Sequence, residues 1–105
     1  MSVRLESLRA LCGGPRDGAL LRVALANALM AEDGKVEAIA QLRHALEFDP
    51  DYSAAWKQIG KLLAESGDAD AAVVAFRSGI AAAQKRGDKQ AEKEMAVFLK
   101  RLLKA

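Results

Sequence analysis

Few side chains of this chain could act as a nucleophile, a base or a metal ligand, and their spacing does not form a site. There is one cysteine, Cys12, and one histidine, His44. Nucleophilic catalysis needs a base beside the nucleophile, and a Cys–His metal site needs several ligands at short spacing. We therefore interpret Cys12 as a small apolar residue at the end of a helix rather than a thiolate. His44, between Leu42 and Ala45, is interpreted as a solvent-edge or packing residue.

Four aspartates are the remaining candidates, either as metal ligands or as helix caps. They form two close pairs, Asp49 with Asp51 and Asp68 with Asp70. Each pair falls where a helix is predicted to begin, and the helix dipole stabilises carboxylates there. Capping is therefore favoured over metal binding. The sequence predicts no catalytic residue, no metal and no cofactor. An enzyme is kept only as a third class of function, which a pocket with a strongly perturbed ionisable group would support.

The composition is that of one helical domain. A chain of 105 residues is long enough for one hydrophobic core. Of its residues 51% are hydrophobic, 5% are aromatic and two are proline, which favours packed helices over sheets. The net charge of +2, from 16 basic and 14 acidic residues, is too balanced for a nucleic-acid-binding protein. The stretch from Lys85 onward holds seven basic and three acidic residues, and we interpret it as a solvated helix face.

Neither secretion nor a membrane is indicated. The first residues lack the charged and then apolar profile of a secretory signal, and no apolar run approaches the roughly 18 residues that span a bilayer. A single cysteine excludes an internal disulfide. We expect a cytoplasmic protein without a membrane or nucleic-acid partner.

The chain repeats itself at an offset of 34 residues, so that residues 19–52 align with residues 53–86. Each copy has a front helix, in which a small residue lies between large ones, followed by a rear helix, in which a large residue lies between small ones. The aligned front positions are Leu25, Ala26 and Leu29 with Ile59, Gly60 and Leu63, and the aligned rear positions are Ala38, Leu42 and Ala45 with Ala72, Phe76 and Gly79. A glycine inside a helix costs about 1 kcal/mol relative to alanine. We therefore expect Gly60 and Gly79 to make room for side chains of neighbouring helices.

Periodicity and turn residues predict six helices, at about 3–12, 17–32, 35–48, 52–66, 69–86 and 88–104. The first helix, before the break at residues 13–15, is predicted to cap one end of a single domain spanning residues 1–105. The last helix aligns with a front helix if two residues are inserted, which places Met95, Ala96 and Leu99 under Ile59, Gly60 and Leu63. It resembles half of a third copy, and we expect it to cap the other end.

At these positions the sequence resembles the tetratricopeptide repeat (TPR) family, whose unit is a 34-residue helix–turn–helix. In the second copy the matching residues are Trp56, Ile59, Gly60, Leu63, Gly67, Asp68, Ala72, Phe76 and Gly79, and in the first copy they are Leu25, Ala26, Leu29, Ala38, Ala45 and Pro50. The resemblance covers residues 19 to about 104. It implies an all-α fold of antiparallel helical hairpins, stacked as a short right-handed solenoid.

Three positions depart from the family pattern. They are Arg22 in place of an expected aromatic residue, the turn glycine Gly34, which comes one place later than Gly67, and Gln84 in place of a proline. Without that proline we expect the fifth helix to run to Arg86 and to stop at Gly87, with Asp88 capping the next helix.

The resemblance implies a protein–protein interaction module, a scaffold or adaptor, whose concave groove holds a peptide segment of a partner. Carried over by alignment, the groove residues are Leu20, Val23, Asn27 and Met30 from the first copy, Lys57, Gln58, Lys61 and Glu65 from the second, and Lys93, Glu94, Val97 and Arg101 from the last helix. One end of this set is apolar and the other net basic, so we expect an acidic and apolar segment as the ligand. That the lysines merely solubilise an exposed face is an open alternative.

Some family members hold the C-terminal carboxylate of heat-shock chaperones with a clamp of lysine, arginine and asparagine. Only Asn27 matches that clamp, because the other positions hold Val23, Gln58, Gln90 and Glu94. We do not expect this ligand.

A second hypothesis follows from size. Repeat arrays usually need about three units for stability, whereas this chain has two with flanking helices. Self-association as a homodimer, through Leu20, Val23 and Met30 or through the last helix, would bury additional apolar surface.

Overall fold

The computed structural model describes residues 3–104, and within them the protein consists of six helices and no strand. The helices are α1 (Val3–Leu11), α2 (Ala19–Ala31), α3 (Lys35–Phe48), α4 (Ser53–Glu65), α5 (Ala69–Arg86) and α6 (Lys89–Lys104). The prediction of an all-α fold with six helices is confirmed. The described residues divide into two compact units, unit 1 up to Asp49 and unit 2 from Pro50 onward.

In unit 1, α2 and α3 form a helical hairpin and α1 packs against α2. The turn between α2 and α3 ends α2 in a left-handed residue, Asp33, with a φ of 61°. The next backbone N–H, that of Gly34, donates to the Leu29 carbonyl at 2.7 Å, which satisfies a carbonyl at the end of the helix. Asp33 therefore occupies the position that aligns with Gly67. At Gly34 a side chain would be crowded, because a Cβ there would lie 3.1 Å from the Leu29 carbonyl oxygen.

The segment before α2 is held by a partly buried ion pair. Arg22 donates from Nε and Nη2 to the two carboxylate oxygens of Asp17, at 2.9 and 2.7 Å, and from Nη1 to the Gln41 side chain at 2.8 Å. The backbone N–H groups of Gly13 and Gly18 also donate to Asp17. The pKa of the Asp17 carboxyl lies well below its ordinary range. The main cause is the hydrogen bonding from the Arg22 guanidinium, and the second is the hydrogen bond from the Gly13 N–H. Arg22 thus joins the incoming segment to both helices of the hairpin.

In unit 2, α4 and α5 form the second hairpin. Its turn uses Gly67, at a φ of 85°, and Asp68 caps α5 by accepting a hydrogen bond from the Ala71 N–H at 3.2 Å. A Cβ on Gly60 would lie 2.5 Å from the ring of Phe76, so the missing side chain of α4 leaves space for the ring of α5. The expectation that Gly60 makes room for a neighbouring helix is confirmed.

The last helix of unit 2 packs along α5 and also touches α4. A Cβ on Gly79 would collide with Met95 of α6 and with the Cβ of Trp56, so the second predicted glycine also lies at a close approach between helices. The fifth helix ends at Arg86, Gly87 is left-handed with a φ of 70°, and Asp88 accepts a hydrogen bond from the Ala91 N–H at 3.1 Å. The predicted end of α5 and the predicted cap of α6 are confirmed.

The prediction for the first pair of aspartates needs correction. Asp49 is the residue that ends α3 rather than one that begins α4. Asp51 precedes α4, but its carboxylate pairs with Lys85 at 3.1 Å, and the cap position of α4 is occupied by Tyr52, whose side chain makes no capping hydrogen bond. Only Asp68 and Asp70 lie at a helix start as expected. In the turn between the repeats, Asp51 therefore makes an ion pair with α5 instead of capping α4.

Candidate peptide-binding cleft

A cleft of about 260 Å³ lies in unit 2, where the last turn of α4 and the second half of α6 meet over α5. Its lining residues are Lys61, Ala64, Glu65, Phe76, Phe98, Arg101 and Leu102. The α4 residues recur at spacings of three and four, and so do the α6 residues, as expected for side chains on one face of a helix. The cleft therefore follows from the register with which these helices pack.

The floor of the cleft is aromatic. The rings of Phe76 and Phe98 are stacked, with centroids 5.5 Å apart and an angle of 12° between the ring planes. Phe76 is fully buried in the notch that Gly60 leaves, whereas Phe98 is half-buried and turns part of its surface toward the cleft. The glycine in α4 thus sets the depth of Phe76 and, through ring stacking, the position of Phe98.

The rim of the cleft is charged. The Lys61 ammonium lies 5.6 Å from the centroid of the Phe98 ring, a distance at which a cation is attracted to an aromatic face. Arg101 is exposed on α6, and Glu65 contributes one carboxylate. Two cations and one anion give the rim a net positive charge above an apolar floor. The arrangement suits an apolar side chain that has a carboxylate close to it.

Three of the predicted groove residues, Lys61, Glu65 and Arg101, meet at this cleft. Two others bind each other, because the Lys57 ammonium and the Glu94 carboxylate form an ion pair at 3.2 Å that joins α4 to α6. Much of the positive charge expected from Lys57 is therefore balanced within the protein. The remaining members of the set in unit 2 do not line the cleft.

Those remaining members lie in different surroundings. Lys93 and Val97 are exposed on α6. Gln58 is half-buried, and its side-chain oxygen Oε1 is buried without a hydrogen-bond partner among the described residues. None of the three lines the cleft.

The predicted groove residues of unit 1 share one face of α2 but differ in burial. Leu20 is 73% exposed, and Asn27 and Met30 are also exposed. Val23 is only 8% exposed, so little of its surface is left for a ligand. The face that α2 offers is therefore narrower than the alignment suggested, with two apolar side chains and one amide.

The residues considered for catalysis do not meet in the described part of the chain. The Cys12 sulfur is half-buried and lies 3.7 Å from the Leu8 carbonyl oxygen. His44 is exposed, with Nδ1 at 3.5 Å from the Glu47 carboxylate. Among residues 3–104 no three His, Cys, Asp or Glu side chains could together hold a metal ion. The carboxyl groups whose pKa values are clearly lowered, Asp17 and Glu37, are paired with arginines and do not line the cleft.

Sequence reasoning missed four of the lining residues: Ala64, Phe76, Phe98 and Leu102. The repeat pattern indicates Phe76 only as the large residue of the rear helix. A signal for the α6 pair was present, because Phe98 and Leu102 follow the buried Met95 by three and seven residues and so share its helix face. With Met95 aligned to a core position, the periodicity of α6 therefore indicates the α6 part of the aromatic floor.

The chain resembles proteins of known family along nearly its whole length. It is 41% identical over 101 residues to a TPR repeat-containing protein of Pseudomonas aeruginosa, covering 96% of both chains. A Bordetella parapertussis protein of known solution structure is 44% identical, with a TM-score of 0.81 over 99% of this chain and 90% of that one. A TPR domain protein of Salinibacter ruber is 27% identical, with a TM-score of 0.78 over 84% of this chain and 88% of that one. No protein-family model matches the chain.

The protein belongs to the tetratricopeptide repeat family. Its helices, its repeat of 34 residues and its likeness to a full-length family member agree on this point. Folds of this type generally mediate protein–protein interaction. In the described part of the chain, every helix is too short or too polar to pass through a bilayer.

Proposed function

We propose that the protein is a cytoplasmic interaction module that binds a short acidic and apolar peptide segment of a partner protein in the cleft of unit 2. The observation that carries the proposal is the combination of an aromatic floor, Phe76 and Phe98, with the cations of Lys61 and Arg101 at its rim. In this arrangement an apolar side chain of the peptide enters the cleft while a neighbouring carboxylate stays at the rim.

The size of the cleft supports a single anchoring side chain. A dry cavity of about 150 Å³ holds a benzene molecule, and this cleft, at about 260 Å³, is larger. A phenylalanine or leucine side chain of the ligand would stack on or pack against Phe98. Most of the affinity would come from that apolar contact, and the rim charges would add orientation and a salt-sensitive part.

The charge balance supports an acidic ligand over a basic one. Lys61 and Arg101 outnumber Glu65 at the cleft. Lys57 contributes less than its position suggested, since Glu94 already pairs with it. We therefore expect the affinity for the peptide to fall moderately as the ionic strength rises. Salt screens the exposed charges at the rim, but it does not screen the apolar contact.

Fluorescence anisotropy with labelled peptides tests this function. The first peptide carries one phenylalanine between aspartates and glutamates, the second replaces the phenylalanine by alanine, and the third replaces the acidic residues by lysine. We expect the first to bind, and to bind several-fold more weakly at about 0.5 M than at about 0.05 M salt. The second and third are expected to bind much more weakly. Equal binding of all three, or none by the first, would contradict the proposal.

Charge-reversal variants locate the binding. Lys61→Glu and Arg101→Glu change the rim of the cleft, and Arg77→Glu makes the same change at an exposed residue of α5 outside the cleft. We expect each rim variant to weaken binding of the first peptide by about tenfold, or about 1.4 kcal/mol, and the Arg77 variant to leave it nearly unchanged. Equal effects of all three would place the peptide elsewhere.

Self-association is the second candidate function, and the exposure of α2 favours it. Leu20 is 73% exposed and Met30 lies on the same helix face. A second copy would cover these two side chains, although Val23 is already buried and adds little. Sedimentation over a wide concentration range, with Leu20→Glu as the variant, decides the matter. A dimer that dissociates in the variant supports this function, and a monomer at every concentration removes it.

A further inference from the structure

Helix α6 repeats the front-helix pattern, and within residues 3–104 no rear helix covers it. The aligned positions are Leu25, Ala26 and Leu29 in α2, Ile59, Gly60 and Leu63 in α4, and Met95, Ala96 and Leu99 in α6. In α2 and α4, which have rear helices packed on them, the small residue is fully buried. In α6 the first position, Met95, is likewise buried, but Ala96 is exposed and Leu99 is only half-buried. No helix follows α6 within residues 3–104.

The open side of α6 has the residue spacing of a helix-docking site. Ala96, Leu99 and Leu103 are spaced by three and four residues, so they lie along one stripe of the helix, and Leu103 is 58% exposed. At the equivalent position of α4 the ring of Phe76 fills the space beside Gly60. A helix that packed on α6 in the same way would bring a large apolar side chain to Ala96.

The charges beside this stripe indicate the kind of partner. Four lysines, Lys89, Lys93, Lys100 and Lys104, are spaced so that they share the adjoining face of α6. All four are exposed, and none of their ammonium groups is paired within the described part of the chain. Glu92, four residues before Ala96, places one carboxylate at the start of the stripe, where it accepts a hydrogen bond from the Gln84 side chain. The four lysines outnumber it, so this surface is complementary to a helix that has an apolar face bordered by carboxylates.

We propose that α6 docks an acidic amphipathic helix of a partner protein, which takes the place on α6 that α5 takes on α4. This surface is separate from the cleft, because Phe98 and Arg101 project from the opposite flank of α6. It therefore adds a second binding site to the proposed function and does not depend on it.

Two other occupants fit less well. A second copy of this chain would bring two lysine-rich helices together, since the stretch from Lys85 onward holds seven basic and three acidic residues. An anionic membrane would attract the lysines, but binding to a membrane does not require a small residue between larger apolar ones. The notch at Ala96 favours a helix, which has knobs to place in it.

A designed helical peptide tests the proposal on the intact protein. The probe carries the rear-helix pattern of this chain, a small residue, phenylalanine four residues later and glycine three residues after that, with glutamates at the positions that border this face. A matched probe has lysines in place of the glutamates. We expect fluorescence anisotropy to show salt-sensitive binding of the acidic probe and binding of the basic probe that is weaker by about tenfold or more, or about 1.4 kcal/mol.

The decisive variant is Ala96→Arg, which fills the notch but adds positive charge. If the notch receives a side chain, this variant weakens binding of the acidic probe by about tenfold, or about 1.4 kcal/mol, although its charge alone would strengthen binding. Ala81→Arg makes the same change at an exposed alanine of α5 and should leave binding within about twofold, or about 0.4 kcal/mol. Lys61→Glu should remove only the binding that the cleft contributes and should leave the effect of Ala96→Arg in place. Failure of this proposal is therefore distinguishable from failure of the proposed function.

Four results would overturn the proposal. The first is binding of the acidic probe that Ala96→Arg leaves unchanged, and the second is equal binding of the acidic and basic probes. The third is no binding of the acidic probe. If vesicles that contain phosphatidylserine then capture the protein, the occupant is a membrane, and the proposal fails whether or not they do. The last is a dimer, seen by sedimentation, that Ala96→Arg dissociates, which would assign the surface to a second copy.

Discussion

Arg22 and Trp56 occupy equivalent positions 34 residues apart, and each holds the segment that leads into its own front helix. The Trp56 indole N–H donates to the Pro50 carbonyl at 2.8 Å. The Arg22 guanidinium donates to both oxygens of the Asp17 carboxylate. An ion pair in unit 1 thus replaces the aromatic anchor of unit 2, and the departure of Arg22 from the family pattern has a structural explanation.

The Arg22 anchor should make unit 1 sensitive to acid. The folded-state pKa of Asp17 lies below the unfolded value of about 3.9. Its contribution to stability is therefore present above about pH 4 and is lost as the pH falls through the folded-state pKa. At pH 7 we expect Asp17→Asn to melt below the parent, and we expect the two melting temperatures to converge toward pH 2.

The exposed Asp70 provides the control for this titration. Asp70→Asn should produce a smaller difference at neutral pH. Melting curves followed by circular dichroism between about pH 2 and pH 7 measure both differences. A difference for Asp17→Asn that does not change with pH would show that the Arg22 pair does not stabilise the fold.

The Trp56 side chain should contribute less to the free energy of unfolding than its size suggests. A fully buried tryptophan replaced by alanine costs about 3–5 kcal/mol, but the Trp56 side chain is only half-buried. We expect Trp56→Ala to cost less than that range. Trp56→Phe keeps a ring but removes the N–H donor, and it should cost about 0.5–1.5 kcal/mol. Urea unfolding gives both values, and a loss for Trp56→Phe as large as that for Trp56→Ala would contradict the ranking.

Gly60 should tolerate no large side chain. A Cβ at this position would already lie 2.5 Å from the Phe76 ring, so Gly60→Leu must displace the ring or separate α4 from α5. We expect a loss of about 1–3 kcal/mol or more in the free energy of unfolding. Ala81→Leu, at an exposed position of α5, serves as the control and should change stability little. If Gly60→Leu unfolds at the same urea concentration as the parent, the close approach of α4 and α5 is not present in solution.

Reversal of the charge on Lys57 should lower the free energy of unfolding slightly, and a second charge reversal at its partner should restore it. The Lys57 ammonium pairs with the Glu94 carboxylate and so joins α4 to α6, and Lys57→Glu removes this pair. Two carboxylates would then face each other. Exposed pairs of this kind contribute about 0.2–1 kcal/mol, so we expect a loss in that range. The double variant Lys57→Glu with Glu94→Lys should restore it, and an equal loss in both variants would show that the pair does not form.

Local sequence signals were sufficient for the helices and for the glycine notches. The ends of α5 follow from Asp68 and Gly87, whose preferences act within one turn of the chain. The notch at Gly60 follows from the cost of a glycine inside a helix, which only a close neighbour offsets. The turn glycine of the first copy, Gly34, comes one place later than Gly67, because an aspartate can adopt the left-handed conformation and Asp33 does so.

The cleft was harder to predict because it depends on which helices meet. The pairing of Lys57 with Glu94 joins residues 37 positions apart and requires the two-residue insertion before α6 to be placed correctly. Periodicity shows that Phe98 lies on the buried side of α6, but the stacking of its ring on Phe76 is set by the packing of three helices. Side-chain chemistry at such junctions is a tertiary property, which a one-dimensional repeat does not contain.

An amide NMR titration with the acidic phenylalanine peptide tests the central claim, that the cleft of unit 2 is the binding site, most directly. If the claim is right, the largest shift changes arise at Lys61, Ala64, Phe98, Arg101 and Leu102, and they disappear in the Lys61→Glu variant. Shift changes centred on the exposed face of α2 or on the α3 surface, with the cleft residues unmoved at saturation, would contradict it.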